Sequence, residues 1–194
     1  MPEVYGTETG GAEILSYNLL FNMGGNSENY ISIIGEAPDS LETLITKGGL
    51  TTDVVFKFKY RIRSKYGWSD GFSPILEART ATNPSSINSL SFSIVDLMNV
   101  RVGWELPYNG GSPVTAYQIL FLHADGVSFS TIDAYCDGTQ ISILLQRYCD
   151  VPFTVLREAP ISLQFNDLVG VKIYATNSIG DGPESSVNTD GVYV

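Results

Sequence analysis

One twelve-residue stretch occurs twice in this 194-residue chain, and that repetition limits the fold more than any other feature. Gly10-Gly11-Ala12-Glu13-Ile14-Leu15-Ser16-Tyr17-Asn18-Leu19-Leu20-Phe21 returns without a gap, 100 residues later, as Gly110-Gly111-Ser112-Pro113-Val114-Thr115-Ala116-Tyr117-Gln118-Ile119-Leu120-Phe121. A second pairing sets Phe58, Tyr60, Ile62 and Ser64 against Val169, Val171, Ile173 and Ala175, at an offset of 111. The second copy therefore carries 11 extra residues between its landmarks. A chain that repeats itself once along its length is built from two tandem units.

The repeated unit reads as β-structure. Phe56, Phe58, Tyr60 and Ile62 alternate with Lys57, Lys59, Arg61 and Arg63, the period-2 pattern of a strand with one face buried. Val100, Val102 and Trp104 form another such run, as do Tyr117, Ile119 and Phe121, and Ile161, Leu163 and Phe165. Asn109-Gly110-Gly111, Asp125-Gly126 and Gly180-Asp181-Gly182 punctuate them as turns. No stretch holds a 3.6-residue period for more than one or two turns. The class is all-β, with sandwiches and Greek-key connections. Thr80-Ala81-Thr82-Asn83-Pro84-Ser85-Ser86 is small, polar and broken by proline, and serves as the expected linker. It divides the chain into residues 1–83 and 84–194.

At these residues the chain resembles fibronectin type III domains. Val100-Arg101-Val102-Gly103-Trp104-Glu105-Leu106-Pro107 is similar to that family's strand B, with a core Trp ahead of a proline. Residues 109–117 resemble the B–C loop running into strand C and its core Tyr117, and residues 171–182 resemble strand F and the F–G turn. More narrowly, residues 149–155, Ala159-Pro160 and the Gly180-Asp181 turn are similar to tandem repeats of large surface proteins of ciliate protists. The resemblance implies two tandem immunoglobulin-like sandwiches and leaves function open, because this fold hosts many unrelated activities.

The first copy departs from the pattern. Too few residues precede Gly10 to supply strands A and B, and no tryptophan stands there, whereas Trp104 precedes Gly110 by six positions. Residues 1–83 therefore read as a partial domain, strands C to G, and residues 84–194 as a complete one with an insertion bounded by cysteines. Two explanations remain: a truncated or cleaved chain, or completion of the first sandwich by strands of a neighbouring subunit, which would build a polymer.

Composition narrows the function classes. Eleven Lys and Arg against 21 Asp and Glu leave a net charge of −10, which excludes a general nucleic-acid binder. No apolar run approaches the roughly 18 to 20 residues of a membrane span. Met1-Pro2-Glu3 starts no signal peptide and Tyr193-Val194 ends no lipidation signal, so the chain reads as an excerpt of a longer one. The charge is uneven, with 7 basic and 10 acidic residues before the linker's Pro84 and 4 and 11 from there on.

Five features are candidates for chemistry. Cys136 and Cys149 bracket the extra length of the second copy, and three states compete for them: a disulfide, two free thiols, or half a metal site. A bond would staple the insertion and imply an oxidising, extracellular setting. A metal site lacks ligands, since His123 is the only histidine and no third cysteine exists. His123 and Asp125 have the residue types of a catalytic pair, yet no nucleophile elbow accompanies them, and a solvated turn histidine is the simpler reading. Asp181 lies in no Asp-x-Asp-x-Asp loop and is expected to shape its turn rather than hold calcium. The stripe Lys57, Lys59, Arg61 and Arg63 is either an outward face kept soluble or a surface for the acidic second domain of a neighbour. Tyr66 and Trp68, in the first domain's F–G turn, either cap the sandwich or offer rings to a sugar or protein.

These readings converge on an extracellular or cell-surface structural module that meets protein partners, self-association among them. It is no enzyme, and no cofactor or metal is implied. Fibre assembly by strand complementation is its specific form. A carbohydrate- or ligand-binding adhesion module using the loop aromatics is the alternative.

Overall fold

The computed structural model describes residues 11–194. Gly10, where the first repeat copy starts, and the Met1-Pro2-Glu3 start lie outside the described residues. The chain divides into two compact units, Met1–Thr80 and Ala81–Val194. The junction falls three residues before the expected one. Within the second unit the Thr82 amide donates to Gly110 O, Asn83 Nδ2 donates to Asp181 O, and the Ser85 amide donates to Tyr108 O. Gly110 (φ +70°) permits this approach, since a Cβ there would sit 2.2 Å from Thr82 O. The proline-broken stretch is thus fastened to the second unit instead of hanging free.

Among the described residues, the first unit is one antiparallel sheet of five strands: β1 (Ile14–Asn22), β2 (Tyr30–Ile34), β3 (Val55–Ser64), β4 (Gly67–Trp68) and β5 (Leu76–Arg79). Its order is β2-β1-β3-β4, with β5 also on β3. No strand forms between β2 and β3. Residues 41–47, which occupy strand E's place in the chain order, make no ladder.

The second unit packs two three-stranded antiparallel sheets, β10-β7-β6 and β11-β8-β9. The strands are β6 (Leu90–Val95), β7 (Asn99–Trp104), β8 (Val114–Leu122), β9 (Phe129–Ser130), β10 (Tyr148–Pro152) and β11 (Val171–Asn177). Alternation decides their faces: Val100 and Val102 of β7, Val151 of β10, Ile119 and Phe121 of β8, and Val171, Ile173 and Ala175 of β11 all point into one buried core. Trp104 meets Tyr117 edge-on across it, with ring centroids 5.1 Å apart. This is an immunoglobulin-like sandwich. Three short helices, α1 (Asp133–Cys136), α2 (Ile141–Gln146) and α3 (Phe153–Arg157), lie outside the strands.

Two readings of the sequence need correction. Tyr60 pairs with Leu19, and Ile173 pairs with Ile119, so the equivalent of Tyr60 is Ile173 and the offset there is 113, not 111. A two-residue slip keeps every side chain on its face, which is why alternation alone does not detect it. Ile161 and Leu163 are buried as expected, but residues 161–165 form no strand. Ser162 and Asn166 both have positive φ (60° and 67°), and Phe165 is left 87% exposed.

Candidate functional site

The first unit has two sheet faces of opposite character, and neither matches a simple inside and outside. On one lie Ser16, Asn18 and Asn22 of β1 with the basic stripe of β3. All three β1 residues are fully buried and fully bonded. Asn18 Nδ2 donates to Ser32 Oγ (2.6 Å) and Ile34 O (2.9 Å), while its Oδ1 accepts from Arg61 Nε (3.1 Å). Asn22 Oδ1 accepts from the Lys57 amide (2.9 Å), and Ser16 Oγ donates to Gly35 O (2.7 Å).

Over this polar layer the cations interleave with rings. Lys59 Nζ lies 3.8 Å from the Tyr30 ring centroid and 4.5 Å from that of Phe72. The Arg61 guanidinium lies 4.7 Å from Trp68 and 5.5 Å from Phe72, and that of Arg63 lies 5.7 Å from Trp68. Carboxylates close the stack: Lys57 meets Glu28 and Glu77, Arg61 meets Glu36, and Arg63 meets Asp39. The stripe is therefore engaged within its own unit. Trp68 gives a face to Arg61 and Arg63, while Tyr66 is 80% exposed on its loop, with Lys65 Nζ 4.9 Å from its ring centroid.

The opposite face carries Tyr17, Leu19 and Phe21 of β1 with Phe56, Phe58, Tyr60 and Ile62 of β3. In the second unit the equivalent face lies under β6, β7 and β10. Here, among the described residues, no second sheet covers it. Phe58, Tyr60 and Ile62 are only half-buried where their counterparts Val171, Ile173 and Ala175 are fully buried. An apolar groove of about 550 Å³ remains, floored by Leu19, Phe58 and Tyr60 and walled by Leu44, Ile45 and Leu76. Leu44 is 87% exposed. Alternation identified this face as apolar but did not show that it is open; the sequence's hint was the missing tryptophan opposite Tyr17.

In the second unit Cys136 and Cys149 form a disulfide, with Cα atoms 5.3 Å apart, joining the end of α1 to β10. His123 and Asp125 each serve local structure. His123 Nε2 lies 2.8 Å from Ser130 Oγ in a hydrogen bond. Asp125 Oδ1 accepts from the amides of Val127 and Ser128, which with the Ser128 hydroxyl lower its pKa to about 2. Asp181 Oδ1 accepts from the Thr176 hydroxyl at 2.6 Å, bracing the turn after β11.

No family model matches the chain, and no curated protein matches it. Among solved structures it is similar to the FN1-FN3 domains of chicken CNTN1, at 16% identity and a TM-score of 0.42. The match covers 92% of this chain and 56% of that one, so this chain spans about half its length.

Proposed function

We propose that the chain is a structural, interaction-bearing segment of an extracellular surface protein, with copies linked into a fibre through completion of the first unit by strands of a neighbouring subunit. The observation that carries this reading is the apolar face of the first unit, which no second sheet covers among the described residues, whereas the same face of the second unit is buried under three strands. An open face of this kind is costly in water and is relieved by a partner sheet. The Cys136–Cys149 bond supports an oxidising compartment. The ciliate-like repeats that the sequence resembles fit a surface location.

The alternative is an adhesion module that binds sugars or other ligands through loop aromatics. It retains Tyr66 as an exposed platform, but Trp68 is flanked by two guanidinium groups, so assembly is the leading reading. Native protein isolated from its source is expected to form elongated species by electron microscopy and mass photometry. A monodisperse monomer at high concentration would refute the fibre.

A further inference from the structure

Beside the open groove runs a segment without a partner. Among the described residues, the backbone groups of Leu44, Ile45, Thr46 and Lys47 make no hydrogen bond, although the segment is extended and Leu44 and Ile45 wall the groove. A bare row of N–H and C=O groups next to an apolar trough is the arrangement that adds a strand from another chain. The second unit shows what normally lies there. In the same place along the chain, β10 pairs through all five of its residues with β7, from Tyr148 opposite Gly103 to Pro152 opposite Asn99. β7 in turn pairs with β6, and its Trp104 packs on Tyr117, the counterpart of Tyr17.

Charge points the same way. The β3 cations Lys57, Arg61 and Arg63 have carboxylate partners and Lys59 has its rings on the opposite face of the sheet, whereas Lys47 on the bare segment has no carboxylate partner among the described residues. Lys59 stacks on Tyr30 and Phe72, and Lys47 lies 5.7 Å from the Phe21 ring centroid. A complementary occupant carries an acid at the end that meets Lys47. The chain's own β6–β7 hairpin does so, with Asp96 in its turn and Glu105 after Trp104.

We infer that residues 44–47 are the acceptor edge of the first unit, and that the occupant is an antiparallel hairpin of β6–β7 chemistry from a neighbouring chain. Its inner strand alternates aliphatic residues, ends in an aromatic that stacks on Tyr17, and pairs its backbone with residues 44–47. This inference rests on the assembly reading and specifies where and by what the first unit is completed.

The test is amide hydrogen exchange of the full chain with and without a synthetic peptide of residues 90–107. Saturating peptide is expected to slow exchange of the Leu44, Ile45, Thr46 and Lys47 amides by at least about tenfold. A peptide carrying Val102→Asp is expected to protect none of them. Thr46→Pro, which removes one edge donor at a position outside any ladder, is expected to abolish protection while leaving the exchange of β1 and β3 unchanged. Unchanged exchange at residues 44–47, or protection confined to β2 or β5, overturns the assignment. The two readings fail separately. Native fibres whose residues 44–47 stay unprotected overturn the acceptor edge and leave assembly standing. Peptide-induced protection in a protein that is monomeric at source keeps the edge and overturns the fibre.

Discussion

Arg61 lies between Trp68 and Phe72, with Nε on Asn18 and a terminal nitrogen on Glu36. Replacing it with alanine removes both ring contacts and strands Asn18 Oδ1, on a fully buried residue, without a donor. The loss expected for Arg61→Ala is about 2–4 kcal/mol, read as faster exchange of the β1 and β3 amides, with β8 and β11 unaffected. Unaltered exchange there would show the stack to be ornamental. Asp125 offers a pH test in the second unit. Its folded pKa, about 2, lies below the ordinary carboxylate value, so its stabilising effect is complete above that ordinary value and is lost as pH falls through about 2. Carbon-13 titration of its carboxyl should give a midpoint near 2, and Ser128→Ala should move it upward. A midpoint at the usual value, about 4, would contradict the turn geometry.

The second unit's insertion is best understood as an element. The disulfide closes a sequence separation of 13 residues around α2, whose Ile143 reaches the core, and ends on β10, the strand that pairs with β7. Reduction should cost about 3 kcal/mol if the constraint acts mainly on the unfolded chain, visible as a lower melting temperature of the second unit. A melt indifferent to reductant would refute that account. The cysteines' position in an insertion was readable from the repeat, because extra length between matched landmarks has to loop out. That the bond ties α1 to a core strand was not, since the partner strand is remote in sequence. The same limit governs residues 41–47. Their order in the chain suggests a strand, but a strand exists only with a neighbour to pair with, and among the described residues Leu44, Ile45, Thr46 and Lys47 have none.

For the molecule as a whole, the uneven charge takes on a different meaning. The stripe Lys57, Lys59, Arg61 and Arg63 reads from the sequence as a soluble outward face or as a surface for an acidic neighbour, and in the structure these cations mostly meet rings and carboxylates of their own unit. Among the described residues of the first unit Lys47, Lys59 and Lys65 have no carboxylate partner, and of these Lys47 lies at the open face, over the Phe21 ring. The sequence by itself determined the all-β class, the duplication and the Tyr117–Trp104 core pair, because alternation and repetition are local properties of a chain. The tertiary structure alone decided that Ser16, Asn18 and Asn22 form a buried polar layer, that the basic stripe closes over it, and that among the described residues no second sheet covers the opposite apolar face. A period of two says which side chains share a face; what covers that face depends on segments far away in the chain, or on another chain altogether.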